Sequence, residues 1–398
     1  MDQEKPVFTY PNPDLNVTHD NKARWNQPST RRHGYHNLYR IPRYSVSFRA
    51  ANVLHLETNI EASIGMRPDV KKMTETIHFS GMVVLKGQEL IFERYADDFH
   101  HTHPHTIMSI SKMTLNLICG ELISQGLLDP NKKVKEYLPE IGTGYAEATI
   151  QQVLNMDLSN SYSEDYSDPF ASSFIHETTL GWRLPTKEIP EINQKTFLSS
   201  IEQIGSSLEN KTGYADYKSA NTDVLAWVAE TVSKRSLREW MINIVEAIGI
   251  EGNWHMHTDR DGFPVVDGGV NLCARDLARF GQLFCRFGMG ADGNQIGSKK
   301  YIEDRDIYLV AHSTYLIDMA NSIKDDSYPA DTAIDDLLCI EKLGGRGSVF
   351  HVGKHKDRDH DECVQNMKDF ITFVLDKTKD CKSLFILETA AGCGTEML

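Results

Sequence analysis

A serine and a lysine three residues apart, Ser109 and Lys112, begin the longest apolar helical run in the chain. The run, residues 109–125, contains no proline, and its apolar side chains cover most of the helix circumference, so the sequence predicts a buried helix. Residues at positions i and i+3 share one face of a helix. The sequence therefore places a hydroxyl and an amine side by side at a helix N-terminus, where the helix dipole favours a developing negative charge.

This pair has the composition of an activated nucleophile. A serine hydroxyl needs a base beside it before it can attack a carbonyl carbon. Lysine can be that base when burial and neighbouring donors lower its pKa from about 10.4 towards 7. The motif is short, however, and an N-capping serine followed by a surface lysine has the same spacing. Other blocks of sequence must decide between these two interpretations.

Charge and composition narrow the functional classes. The 398 residues carry a formal net charge of -14, which disfavours a general nucleic-acid or anionic-membrane binder. No run approaches the roughly 18 apolar residues of a membrane span, and the polar N-terminus lacks the apolar segment of a signal peptide. Seven cysteines without C-x-x-C spacing indicate free thiols in a reducing compartment. We therefore expect a cytoplasmic protein with no membrane association.

Three segments of the chain differ in residue composition and in predicted secondary structure. Residues 1–65 are rich in Pro, Asn, His and Arg with little periodicity, which predicts an irregular N-terminal arm. Residues 66–304 hold a strand-like hairpin over 82–95 and then mainly helical patterns. Residues 306–398 alternate short strands with amphipathic helices, which is the pattern of βαβ units and a parallel sheet.

Two further stretches of the middle segment carry candidate site residues. A long polar and aromatic segment, residues 159–182, includes Tyr166 and Trp182 and indicates an aromatic-lined substrate pocket. Polar side chains, Tyr217 among them, also gather just before the next helix. In that position they either cap the helix or project hydroxyl and amide groups into a cleft.

The order and spacing of seven blocks carry a resemblance to a known family. They lie at residues 108–112, 126–130, 137–140, 164–169, 181–183, 217–223 and 268–279. Together they resemble the serine β-lactamase and penicillin-binding-protein superfamily over about residues 15–304. The closest likeness is to its class C-like branch of esterases and 6-aminohexanoate-dimer hydrolases. The resemblance implies an α+β fold in which helices flank an antiparallel sheet and form a helical insertion domain.

The same resemblance implies a Ser-Lys-Tyr site that acts on a small amide or ester and needs no cofactor. Ser109 would attack the carbonyl carbon, Lys112 would take its proton, and Tyr217 would relay the proton to the leaving group. Tyr166 and Trp182 match positions that contact substrate in the dimer-hydrolase branch.

One part of the family pattern is missing. The family ends with strands, one of which carries K-T-G or H-x-G and completes the oxyanion hole, and the helix near 275–287 is not followed by them. A hydrolase domain over residues 66–304 would therefore lack its usual C-terminal strands. A rival interpretation has residues 351–353, which read His-Val-Gly, supply the missing strand.

The last segment resembles a different family. Its blocks at 311–317, 350–355 and 387–395 are similar to zinc-dependent apurinic endonucleases of the endonuclease four type, which implies a partial TIM-barrel fragment. Residues at the C-terminal ends of barrel strands converge on the site. His312, His351 and Glu388 occupy those ends, and the resemblance implies zinc ligands there. Because only about 90 residues of the barrel are present, we expect an incomplete site.

The sequence thus leaves three functions open. The first is a serine hydrolase that works through an acyl-enzyme, with or without impairment from its missing strands. The second is a zinc-dependent apurinic endonuclease in DNA repair, in which case nucleic acid becomes a partner. The third is a catalytically inactive fusion of the two families.

Overall fold

The computed structural model describes residues 30–165, 168, 170–212, 215–304, 310–312, 319, 322, 328–342, 347–351 and 359–388. The chain divides into two compact units, one formed by Met1–Ser163 with Ser172–Arg305 and the other by Glu164–Ala171 with Asp306–Leu398. None of the described helices is both long and apolar enough to cross a membrane. Cys119, Cys273, Cys285, Cys363 and Cys381 are free thiols.

The strands, in chain order, are β1 (Ser45–Phe48), β2 (Glu57–Thr58), β3 (Gly81–Lys86), β4 (Glu89–Tyr95), β5 (His105–Thr106), β6 (Trp254–His257), β7 (Val270–Leu272), β8 (Val310–His312), β9 (Gly347–His351) and β10 (Leu384–Glu388). The α-helices are α1 (Arg31–Asn37), α2 (Ala62–Met66), α3 (Pro68–Thr74), α4 (Met113–Ser124), α5 (Val134–Tyr137), α6 (Thr143–Ala146), α7 (Ile150–Leu154), α8 (Ser172–Thr179), α9 (Gln194–Ser199), α10 (Ser219–Ser233), α11 (Leu237–Ile248), α12 (Ala274–Cys285), α13 (Lys299–Asp304), α14 (Tyr328–Lys342) and α15 (His360–Lys377). Among the described residues, 3-10 helices occur at Leu38–Arg40 and Met108–Lys112.

An antiparallel four-stranded sheet lies at the centre of the first unit. Its strand order is β1-β6-β7-β5, so strands from both ends of the unit become neighbours. Trp254, Met256 and Val270 are fully buried, which places the inner face of β6 and β7 in the main hydrophobic core. Burying such side chains stabilises the fold by about 1.5–3 kcal/mol each.

The prediction of an irregular arm over residues 1–65 is wrong for the described part of that segment. Helix α1 and a 3-10 turn precede β1, and β1 pairs with β6 along its whole length. Leu38 and Ile41 pack in a hydrophobic cluster with Trp182. Sequence periodicity could not reveal β1, because four residues show too few alternations and the partner strand lies far away in the chain.

A second sheet contains the predicted hairpin. Strands β3 and β4 pair antiparallel, and β2 adds parallel to β4, giving the order β2-β4-β3. Gly87 turns the hairpin with φ +60, a backbone conformation that favours glycine. In the described residues the other edge of β3 has no strand partner, and α13 is the last described element of the first unit.

Helices fill the stretch between β5 and β6. The most buried is α10, in which every residue from 220 to 229 is buried. It packs against α4 and α7. Helix α4 also packs closely on α13 at Gly120, where a Cβ atom would lie 2.5 Å from the ring of Tyr301. Only glycine allows that approach.

The second unit contains a parallel sheet, as the sequence predicted. Its order is β10-β9-β8, with α14 between β8 and β9 and α15 between β9 and β10. Phe350 and Phe385 stack at a centroid distance of 4.2 Å within its own core. Because β9 pairs with β8 and β10, the structure contradicts the rival interpretation that residues near His351 supply the last strand of the hydrolase sheet. The barrel resemblance stays a prediction.

Candidate active site

The predicted helix over residues 109–125 begins differently from expectation. Met108–Lys112 forms a 3-10 turn, and the α-helix α4 follows it. Side chains at i and i+3 are eclipsed in a 3-10 helix, and Lys112 Nζ lies 3.1 Å from Ser109 Oγ. The prediction of a buried helix is wrong for this turn, since Ser109 is exposed and Ile110 is 47% exposed. The candidate nucleophile therefore faces solvent at the head of an otherwise buried helix.

Backbone contacts hold this turn in place. The Ile107 N–H donates to the carbonyl of Val270 in β7 at 3.0 Å, and the buried Ser111 hydroxyl donates to the Met108 carbonyl at 2.6 Å. Met108 has φ +43, which is unusual for a residue with a side chain. Such a conformation costs about 1–3 kcal/mol and persists where surrounding contacts enforce it. The direction of Ser109 is thus fixed by the sheet beneath it.

Three oxygens surround the amine of Lys112. They belong to Ser109 and Ser219, each 3.1 Å away, and to the main-chain carbonyl of Asp267. The Tyr217 hydroxyl donates to Ser109 Oγ at 2.7 Å, and Lys112 Nζ lies 5.2 Å from the Tyr217 ring centroid. The structure thus brings Ser109, Lys112 and Tyr217 together, as their predicted roles require, and adds Ser219 and Asp267.

The segment that carries Tyr217 is anchored on both sides. Lys218 is only 4% exposed, and its Nζ pairs with Asp216 at 2.8 Å. One turn further on, the buried amide of Asn221 accepts a hydrogen bond from the Tyr145 hydroxyl at 2.9 Å. These contacts fix the start of α10, so the half-exposed Tyr217 side chain projects from a rigid support.

Asp267 lies in the connection between β6 and β7, just before Gly268. A Cβ atom at Gly268 would lie 3.3 Å from the indole of Trp182, so this turn packs directly on that ring. Trp182 is 5% exposed, and its Nε1 donates to His257 Nδ1 at 2.7 Å. Burial lowers the pKa of His257 to about 3, so its ring is neutral and can accept this bond. Trp182 therefore supports the turn that carries Asp267, and its direct contact with substrate stays a prediction.

The remaining site residues were only partly accessible to sequence reasoning. Tyr166, predicted to contact substrate, lies outside the described residues. Ser219 stands two positions after Tyr217, and that spacing was the available signal for it. Asp267 contributes a main-chain carbonyl, and the type of its side chain gives no indication of this role. In the sequence, the glycine after Asp267 indicated a tight turn but no particular function.

The predicted zinc ligands lie at the predicted strand ends. Strands β8, β9 and β10 end at His312, His351 and Glu388. His351 and Glu388 are direct partners in the parallel register, and His312 is opposite Val349. The side chains of the three predicted ligands are outside the described part of the structure, so zinc binding stays a prediction.

One other group of metal-binding side-chain types occurs among the described residues. His176, Asp223 and Asp267 are buried, and their candidate ligand atoms all lie within 4.8 Å of one another. His176 Nε2 is 3.1 Å from Asp223 Oδ2, which is an ion-pair distance when the ring is protonated. The imidazole can thus balance the neighbouring carboxylate itself, and we assign no metal to the group.

Comparison with known proteins decides the family. The Beta-lactamase family model matches residues 67–315, which is more than half of the chain. The chain belongs to the Beta-lactamase family. The match contains Ser109, Lys112 and Tyr217, but it starts later than the residue 15 or so at which the sequence blocks suggested a beginning.

This Beta-lactamase-family chain is similar to two proteins that are described as 6-aminohexanoate-dimer hydrolases. The 6-aminohexanoate-dimer hydrolase of Paenarthrobacter ureafaciens is 34% identical over 238 residues, and the match spans 59% of each protein. A solved structure from Bacillus anthracis, provisionally assigned as a 6-aminohexanoate-dimer hydrolase, has a TM-score of 0.62 at 23% identity. That match covers 75% of this chain and 79% of the other. It confirms the predicted β-lactamase-like α+β fold.

Proposed function

We propose that this chain is a serine hydrolase that cleaves a small amide or ester through an acyl-enzyme on Ser109. One observation carries the proposal: Ser109 Oγ lies 2.7 Å from the Tyr217 hydroxyl and 3.1 Å from the Lys112 amine. A nucleophile between a base and a second proton-transfer group is the arrangement that acyl transfer requires. Membership of the Beta-lactamase family supports the same class of reaction.

Lys112 is oriented for the first proton transfer. A neutral lysine amine has two N–H groups and one lone pair. The Asp267 carbonyl can only accept a hydrogen bond, and the Ser219 hydroxyl can accept the second. The lone pair then faces Ser109 Oγ, the third neighbour. As Ser109 Oγ bonds to the substrate carbonyl carbon, its proton passes to Lys112 Nζ.

Tyr217 completes the proton path. When the tetrahedral intermediate collapses, the bond from carbon to the leaving nitrogen or oxygen breaks, and the Tyr217 hydroxyl gives that atom its proton. Tyr217 recovers a proton from Lys112, whose Nζ lies 5.2 Å from the Tyr217 ring centroid. The acyl-enzyme then reacts with water through the same groups in reverse, which returns Ser109 to its starting state.

The weak point of the site is the stabilisation of the oxyanion. The main-chain N–H of Ser109, at the N-terminal turn, is one candidate donor. The family's usual second donor belongs to a strand that the sequence is predicted to lack, and α13 is the last element among the described residues of this unit. Loss of one such donor costs about 10²–10³-fold in kcat. We therefore expect activated esters to be cleaved faster than amides.

The surroundings of Ser109 favour an aliphatic substrate. Ile110, on the same 3-10 turn, and Met113, the first residue of α4, are 47% and 37% exposed and present an apolar surface beside the nucleophile. The name of the Paenarthrobacter relative describes hydrolysis of a 6-aminohexanoate dimer. We propose linear aliphatic amides and esters as the substrate class.

Steady-state hydrolysis of chromogenic aliphatic esters tests this proposal. Ser109→Ala should lose at least about 10³-fold of kcat/KM, because it removes the nucleophile itself. Ser124→Ala is the matched control, since Ser124 is an exposed serine of α4, the helix that follows the same turn. Equal turnover by Ser109→Ala and the unmodified chain would remove Ser109 from the mechanism.

A further inference from the structure

A buried cluster of titratable side chains meets the site at Asp267. It consists of His176 in α8, Asp223 in α10 and Asp267 in the β6–β7 connection, which are 2%, 0% and 5% exposed. His176 Nε2 lies 3.1 Å from Asp223 Oδ2, and an oxygen of the Asp267 carboxylate lies within 4.8 Å of both partners. Asp267 links the cluster to the site, because the main-chain carbonyl of the same residue accepts the Lys112 hydrogen bond.

The imidazole of this cluster is held on two sides. Its Nδ1 lies 3.1 Å from the Tyr162 hydroxyl, and the ring stacks on Phe197 at a centroid distance of 4.7 Å with an interplanar angle of 11°. Nε2 is therefore kept facing Asp223. A side chain fixed by packing on one face and a hydrogen bond at one edge cannot turn away when the charge of its neighbours changes.

The cluster contains two carboxylates in an interior position. Burying such charges is unfavourable unless cations balance them. Other charged groups on the same elements already have partners: Lys218 pairs with Asp216, and Glu177 pairs with Arg183. Among the described cations, His176 pairs with the Asp223 carboxylate, and the Lys112 amine contacts the main-chain carbonyl of Asp267.

We propose that His176, Asp223 and Asp267 act as positioning residues that set the pH at which Lys112 loses its proton. Negative charge on the two carboxylates favours the ammonium form of Lys112, and a protonated His176 ring offsets part of that effect. The cluster thus holds Lys112 charged in the resting site and raises the pH at which Ser109 becomes reactive. The inference rests on the proposed function, because it assigns Lys112 the role of base.

The test is the pH dependence of Ser109 labelling by a fluorophosphonate probe. Asp267→Asn removes a carboxylate but keeps the main-chain carbonyl that contacts Lys112. The labelling rate falls as the pH is lowered, and this falling part of the profile is its acid limb. Asp267→Asn should move the acid limb towards lower pH by about one unit. Asp223→Asn should move it in the same direction and is the second variant if Asp267→Asn does not fold. A purely structural role would lower the rate at every pH without moving the limb.

Asp259→Asn is the matched control. Asp259 is 1% exposed and lies in the same β6–β7 connection, but its carboxylate accepts main-chain N–H groups, including those of Gln194 and Phe263. Its acid limb should coincide with that of the unmodified chain. Metal analysis of the purified chain accompanies the profiles.

The outcomes separate the two claims. If the unmodified chain is not labelled at Ser109, the proposed function fails and this inference falls with it. If labelling occurs but Asp267→Asn and Asp223→Asn keep the limb of the unmodified chain, only the inference is overturned. One divalent cation per chain that disappears in Asp267→Asn would also overturn it, because the carboxylates would then be balanced by a metal.

Discussion

Tyr217 and Lys112 approach the same oxygen of Ser109 from two directions, and their surroundings give them different roles. Lys112 has all three of its hydrogen-bond directions directed at oxygens of the site. Tyr217 is 41% exposed, so its hydroxyl can reach both Ser109 and an incoming leaving group. The first arrangement suits a base, and the second suits a proton relay.

Tyr217→Phe should therefore lower kcat far more than it changes KM. The hydroxyl is assigned to proton transfer in the transition state, where such groups contribute about 10²–10⁴-fold. Tyr137→Phe is the control for loss of a tyrosine hydroxyl outside the site, because the Tyr137 hydroxyl accepts a hydrogen bond from the Asp129 N–H. Ester kinetics measure both constants, and a change confined to KM would make Tyr217 a binding residue instead.

At the same scale, a sequence can indicate chemistry that depends on side-chain type but not chemistry that depends on the main chain. Ser109, Lys112 and Tyr217 could be predicted as site residues because few residue types perform these reactions and their blocks occur in the expected order, and the structure brings the three together. The contribution of Asp267 is a carbonyl oxygen that any residue would supply. Trp182 was predicted as a pocket residue, yet its indole N–H donates a buried hydrogen bond to His257.

Among the structural elements, α4 shows how a single residue sets a packing distance. Gly120 lets α13 approach so closely that an added Cβ would lie 2.5 Å from the Tyr301 ring. Gly281, in the middle of α12, has no atom within 4 Å of such a Cβ. The two positions have the same intrinsic helix propensity but opposite steric surroundings.

Gly120→Ala should destabilise the chain by about 1–2 kcal/mol, because overpacking outweighs the gain in helix propensity. Gly281→Ala should stabilise it by about 0.5–1 kcal/mol, because it restricts the unfolded chain without a clash. Denaturant unfolding measures both free energies. A Gly120→Ala chain as stable as the unmodified one would show that α4 and α13 do not pack as described.

A cluster of rings joins α1 to the segment that leads into the active-site turn. His36 lies 5.3 Å from His105 in β5, 5.7 Å from His103 and 4.5 Å from Phe99, measured between ring centroids. Burial lowers the pKa of His36 to about 4, and the charges of His105 and Arg32 act in the same direction. Asp98, paired with Arg32 at 2.5 Å, opposes this effect weakly.

Acid should therefore weaken this junction. An unfolded histidine titrates near pH 6.5, so between about pH 6.5 and about 4 the unfolded chain binds a proton that folded His36 does not. The stability linked to neutral His36 is present above about pH 6.5 and is lost as pH falls towards 4. When the pH is lowered from about 7.5 to about 5, the Tm of the His36→Gln chain should therefore decrease by less than the Tm of the unmodified chain. His33→Gln, on the exposed side of α1, is the control, and equal losses in all three chains would contradict the assignment.

For the whole molecule, the sequence predicted the secondary-structure class of each unit better than the pairing of strands within its sheets. The helical stretch follows from its helical periodicity, and the parallel sheet of the second unit follows from the alternation of short strands with helices. The position of β1 beside β6 does not, because a sheet neighbour from the other end of a unit leaves no local signal. The break in character near residue 305 was visible because the order of strands and helices changes there, and the first compact unit ends at Arg305.

Covalent modification by a fluorophosphonate tests most directly whether Lys112 activates the Ser109 hydroxyl. Intact mass and peptide mapping of the full chain locate the modified residue. We expect one adduct per chain, on the peptide that contains Ser109, absent from Ser109→Ala and formed at least about 10²-fold more slowly in Lys112→Ala. No adduct on the unmodified chain, or an adduct that persists in Ser109→Ala, would contradict this activation.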